Sequence, residues 1–139
     1  MILPFGLLDT SVVIKVDELT PDDLPEEMFI STITLAELAI GPLAAADEHE
    51  RAERQFKLQQ ASLDFGDPLP FDEKSALAYP GVAASLRQNG GKRKARSYDA
   101  LIAATAKANQ LPLYTCNAKD FVNIKGLHVM DVGPKKGSN

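Results

Sequence analysis

The run Ser97-Tyr98-Asp99-Ala100-Leu101-Ile102-Ala103-Ala104-Thr105-Ala106 constrains the fold more than any other stretch of the chain. Its residues are small or apolar almost all round a helical wheel, so no broad polar face remains. A helix of that kind is enclosed on most sides by other elements. Its first turn nevertheless carries a carboxylate, Asp99. An ionised group beside a buried helix is costly unless it is paired or holds a cation. What Asp99 faces is therefore the question that organises the rest of the sequence.

Phe5-Gly6-Leu7-Leu8 reads as a short buried strand, and it runs into Asp9-Thr10-Ser11 and then Val12-Val13-Ile14. An acid at the carboxyl end of a strand, followed by small hydroxyl residues, stands where open α/β sheets place ligands. Asp9 can equally cap the next helix. Asp17 to Glu27 is acidic, holds Pro21 and Pro25, and reads as a surface connection. Met28-Phe29-Ile30 is a second short strand. Ser31 to Ile40 follows as a helix ended by Gly41-Pro42. Within it Thr34 and Glu37 have capping-box spacing, but Glu37 is also flanked by Leu35, Leu38 and Ile40, where a carboxylate would face a polar cleft at the core edge. Both readings stand at this level.

Asp47 to Leu63 is charged and Gln-rich, with Ala52, Phe56 and Leu63 suggesting a partly exposed helix, and Phe65 to Pro70 is irregular or a short strand. Phe71-Asp72-Glu73 opens a helix through Leu77, Ala83 and Leu86, which Tyr79-Pro80-Gly81 is expected to kink or interrupt. Asn89-Gly90-Gly91 stops it. The basic run Lys92-Arg93-Lys94-Ala95-Arg96 then leads into the helix of Asp99. Leu111 to Thr115 is a strand followed by Cys116-Asn117-Ala118-Lys119-Asp120-Phe121, in which Asn117 can cap a turn holding Asp120. Leu127-His128-Val129-Met130 is the last strand, with His128 structural rather than catalytic. Residues 1–133 read as one domain and 134–139 as a flexible tail.

Strand and helix alternate along most of the chain, which argues for an α/β fold with a mainly parallel sheet and helices on both faces. In such a sheet Asp9 and Asn117/Asp120 follow strand ends, while Glu37 and Asp99 lie on helices that can flank the same end. Carboxylates converging there cannot all stay ionised without a cation. Oxygen ligation without clustered His or Cys favours Mg²⁺ or Mn²⁺ over zinc. The chemistry this supports is attack by metal-activated water on a phosphodiester. Covalent routes fit less well: Cys116 has no evident base partner, and no Gly-x-Ser-x-Gly, Walker or dinucleotide-binding glycine motif occurs.

Four segments now carry a resemblance. Leu7-Leu8-Asp9-Thr10-Ser11-Val12, Thr34-Leu35-Ala36-Glu37-Leu38, Ser97 to Ala103, and Thr115-Cys116-Asn117-Ala118-Lys119-Asp120-Phe121 resemble, in order and spacing, the motifs of PIN-domain ribonucleases, and most closely VapC toxins of bacterial toxin–antitoxin pairs. The resemblance covers residues 5–132. It implies a compact α/β/α sandwich and Mg²⁺- or Mn²⁺-dependent RNA cleavage. By motif position, Asp9, Glu37 and Asp99 would be the core metal ligands, and Asp120 would complete the acidic set directly or through water. Asn117 stands where some relatives have an acid, and Ser11 and Thr115 would orient carboxylates and water. A homodimer is implied, held by a VapB-type antitoxin whose tail blocks the acidic cleft.

The chain's net charge of −4 argues against recruiting nucleic acid through bulk charge. Lys92, Arg93, Lys94 and Arg96 are therefore the candidates for drawing an RNA backbone to an acidic cleft; a solvated loop is the alternative. A single cysteine excludes an internal disulfide framework and fits a reducing compartment. Met1 to Leu8 lacks a basic leader, and no run approaches the roughly 18 apolar residues of a membrane span, so a cytoplasmic protein is expected. Two other classes compete. A phosphotransfer domain of receiver or phosphatase type needs a second acid beside the strand-end aspartate, which Asp9-Thr10-Ser11 lacks. A non-catalytic PIN-like module binding RNA or a partner would keep the fold without activity.

Overall fold

The computed structural model describes residues 2–88 and 96–133, with the backbone alone at Arg96 and Ser97. Its strands are β1 (Phe5–Leu8), β2 (Glu27–Phe29), β3 (Leu113–Thr115) and β4 (Val129–Asp131). Its helices are α1 (Thr10–Lys15), α2 (Thr32–Ile40), α3 (Glu48–Asp64), α4 (Glu73–Gln88) and α5 (Arg96–Ala108). The strands form one sheet in the order β2-β1-β3-β4, and every neighbouring pair is parallel.

Parallel strands need crossover connections, and these cover both faces of the sheet. Because successive strand residues point to opposite faces, the Leu7-Leu8 and Leu113-Tyr114 pairs each serve two cores. Leu7 and Leu113 pack with Val82, Leu86, Ile102 and Phe121 on the side of α4 and α5. Leu8 and Tyr114 pack with Val12, Ile30, Leu38 and Ala61 on the side of α1, α2 and α3. The α/β/α sandwich expected from the sequence is the architecture observed. Gly6 makes the second core possible: a Cβ there would lie 2.3 Å from Cε1 of Tyr114, whose ring occupies that space. Helix α5 is enclosed as its sequence demands, with Ile102, Ala103, Ala104 and Ala106 inaccessible to solvent. Among the described residues no helix is long and apolar enough to cross a membrane.

Several local expectations are corrected. Helix α2 is capped by Ser31, whose hydroxyl accepts from the Thr34 N–H at 3.1 Å. Thr34 is thus three residues inside the helix, and the Thr34–Glu37 capping box does not form. Pro80 lies inside α4 without ending it. A proline costs its own N–H bond, and the packing of α4 along α5 keeps the helix continuous past that point. Helix α3 is partly exposed, as expected, with Phe56 and Leu63 facing solvent and Ala61 buried beside Leu58 and Phe65. Residues 65–70 are irregular, one of the two forms expected, apart from Leu69, which bridges in parallel to Ser31 beyond the end of β2. The last strand begins two residues later than expected, at Val129, leaving His128 exposed. The proposed stop at 89–91, the basic run at 92–94 with the Arg96 side chain, and the tail at 134–139 lie outside the described residues.

Candidate active site

The chain lays down β1, moves outward to β2, and returns to place β3 on the other side of β1. Connections from β1 and β3 therefore leave in opposite directions, opening a crevice at their carboxyl ends, where open α/β sheets bind ligands. Asp9 follows β1 at that point and Thr115 ends β3. The Asp9 N–H donates to the Tyr114 carbonyl at 3.0 Å, which fixes the aspartate against the neighbouring strand.

Asp9 is 3% exposed. Its Oδ1 accepts from the Ser11 hydroxyl at 2.6 Å and from the Val12 N–H at 3.1 Å, and the Thr115 hydroxyl is a further donor to the carboxylate. Asp9 is thus the cap of α1, so the bland reading of its position is correct as far as it goes. The balance of forces shows more. Burial pushes its pKa up, and the donors from Ser11, Thr115 and Val12 offset only part of that. Ser11 is itself held, since its Oγ accepts from the Cys116 N–H at 3.1 Å.

Glu37 reaches the same place from α2, half-buried. Burial raises its pKa, a hydrogen bond from Thr10 lowers it, and the charge of Asp9 raises it further. Thr10 donates its hydroxyl to Glu37 Oε1 and lies 3.0 Å from the hydroxyl of Thr34. Thr10 and Thr34 are the residues that reading the sequence missed. The one signal the sequence offers for Thr34 is its hydroxyl one helical turn before an acid.

Asp99 lies in the first turn of α5, half-buried, and α5 packs against α2. Asp120 sits in the 3-10 turn Ala118–Phe121 just after β3, also half-buried, with its N–H bonded to the Asn117 carbonyl at 2.9 Å. The Asn117 side chain makes no capping bond there. Instead the Asn117 backbone N–H donates to the Thr115 hydroxyl at 2.9 Å. Among the described residues no three His, Cys, Asp or Glu side chains stand close enough to hold one metal ion. The charge of Asp9 acts on Glu37. Burial pushes the Cys116 thiol up, which keeps it protonated at neutral pH and gives no support to a thiolate nucleophile.

The donor chemistry suits a hard divalent cation. It is all oxygen, and both Asp9 and Glu37 carry a charge that burial disfavours and that an entering cation would relieve. The surrounding hydroxyls fix carboxylate orientation, as outer-shell donors do around metals.

The family model described as PIN domain matches residues 7–127. Among curated proteins, Ribonuclease VapC5 of Mycobacterium tuberculosis is 33% identical over 130 residues, which are 91% of this chain and 93% of that protein. Ribonuclease VapC8 of the same species is 38% identical over 103 residues, 73% of this chain and 90% of its own length. Among solved structures, VapBC-5 from Mycobacterium tuberculosis, a member of the VapBC family of toxin–antitoxin systems, superimposes with a TM-score of 0.77 at 32% identity. That match covers 92% of this chain and 98% of the other.

Proposed function

The chain belongs to the PIN domain family, and on that footing we propose that it is a metal-dependent endoribonuclease, the toxin of a toxin–antitoxin pair. The observation that carries the metal-dependent reading is Asp9: a carboxylate buried at the switch point of the sheet, with its pKa raised by that burial and a second disfavoured carboxylate, Glu37, within electrostatic reach.

Asp9 and Glu37, which feels the charge of Asp9, would hold Mg²⁺ or Mn²⁺, and Asp99, with Asp120 directly or through water, would complete the set once the cation draws the carboxylates together. When bound, the cation supplies an activated water and neutralises charge developing on the phosphodiester. Ser11 and Thr115 hold the Asp9 carboxylate in one orientation, and Thr115 also bonds the Asn117 N–H at 2.9 Å, linking Asn117 to the same cluster. Lys92, Arg93, Lys94 and Arg96 contact backbone phosphates, giving affinity without base choice. The protein acts in the cytoplasm as a homodimer, and a VapB-type antitoxin inhibits it by occupying the acidic crevice.

The test is cleavage of total cellular RNA by purified protein freed of any partner, with Mg²⁺ or Mn²⁺, with EDTA, and beside Asp99→Asn. Discrete fragments that need metal and disappear in the variant are expected. Folded protein that cuts nothing in either metal would instead identify a binding module that keeps the PIN fold.

A further inference from the structure

Thr10 has one hydroxyl hydrogen, and it is directed to Glu37 Oε1. The 3.0 Å contact between the Thr10 and Thr34 hydroxyls must then run the other way, with Thr34 donating. The result is an oriented chain, Thr34 to Thr10 to Glu37, in which each bond polarises the next. Thr34 is wholly buried and Thr10 half-buried, so little water competes for these donors. The chain also joins two elements. Thr10 is the first residue of α1, immediately after Asp9, and Thr34 and Glu37 share α2. The separation between the Asp9 and Glu37 carboxylates is thereby governed by a side chain adjacent to one and bonded to the other.

We propose that Thr10, oriented by Thr34, is a positioning residue that sets Glu37 for cation binding beside Asp9. This rests on the metal-dependent reading above and assigns a task to two residues outside the acidic set. A threonine in this place holds a long, rotatable glutamate through one directed bond, where a valine of the same shape would leave it free.

The experiment is calorimetric titration of metal-free protein with Mn²⁺, requiring no RNA and no turnover. Thr10→Val should weaken Mn²⁺ binding about tenfold, as loss of an outer-shell partner does. Thr34→Val should weaken it less, because it acts through Thr10, and Thr10→Ser should restore most of the affinity. Melting temperatures in EDTA check that each variant folds. In a Glu37→Gln background, Thr10→Val should have no further effect on Mn²⁺ affinity. If the unmodified protein binds no Mn²⁺, the metal-dependent reading itself fails. If it binds and Thr10→Val binds equally well, or still weakens binding when Glu37 is Gln, the positioning role is overturned.

Discussion

Asp9 and Asp72 do the same local job at the starts of α1 and α4. Asp9 accepts from the Ser11 hydroxyl and the Val12 N–H; Asp72 accepts from the Ser75 N–H at 3.1 Å and the Ser75 hydroxyl at 3.0 Å. Their acidities nevertheless move in opposite directions. The Ser75 N–H above all, with the Ser75 hydroxyl and the charge of Lys74, lowers the pKa of exposed Asp72 against an opposing desolvation. Burial raises that of Asp9 despite more donors. Capping geometry therefore does not set the acidity of the two aspartates. Asp72 stabilises its helix as an ordinary cap, whereas burial disfavours the charged form of Asp9. A carboxylate so placed ionises at a cost in stability, which a bound cation would relieve.

Four experiments can break or sharpen that contrast. The largest effect is on turnover: Asp9→Asn should cut metal-dependent RNA cleavage by more than about a hundredfold, since a lost ligand exceeds a lost outer-shell partner. Asp72→Asn should leave cleavage unchanged. Next, Mn²⁺ should raise the melting temperature of the unmodified protein and of Asp72→Asn, but not of Asp9→Asn. At a hundredfold excess over Kd the stabilisation amounts to about 2.7 kcal/mol.

The third effect concerns pH in EDTA. Asp9 has a raised pKa, so its contribution to stability is fully present below the ordinary value of 3.8 and is lost as pH rises through the folded-state pKa. The stability of the unmodified protein relative to Asp9→Asn should fall as pH increases from 4 towards 8. Asp72 has a lowered pKa, so its contribution is present above 3.8 and is lost as pH falls through the folded-state value. Relative to Asp72→Asn, the unmodified protein should lose stability only on acidification. Parallel pH profiles for the two pairs would dissolve the contrast. The smallest effect is that of the Asp72 cap alone: Asp72→Ala should lower the melting temperature by a few degrees at most, read by calorimetry.

Much of this arrangement was legible in the sequence because it follows from patterns that depend on few residues. The enclosed helix α5 could be read from Ala100 to Ala106, and the alternation of strands and helices gave a parallel sheet covered on both faces. Asp9 could be placed at a strand end because Leu7-Leu8 precedes it directly. What failed to be legible depends on partners distant in the chain. Glu37 is held by Thr10, 27 residues away, and no local spacing reports that bond. Ser31 takes the cap of α2 because its hydroxyl reaches the Thr34 N–H, which decides between the two readings that the Thr34–Glu37 spacing left open. Pro80 is tolerated because α5 supports α4 from outside, a tertiary effect invisible to local propensity. On α3 the outward turn of Phe56 and Leu63 could not be read from composition, since a charged helix offers no clear apolar stripe.

The most direct test of the account is the melting temperature of the unmodified protein and of Asp9→Asn, each measured at pH 7.5 in EDTA and in excess Mn²⁺. The account predicts a crossing. In EDTA the Asn variant melts at or above the unmodified protein, because the disfavoured buried charge is gone. In Mn²⁺ the unmodified protein melts higher, because only it gains the cation. An unmodified protein that is the more stable of the two in EDTA and does not respond to Mn²⁺ would contradict it, and would make Asp9 a cap like Asp72.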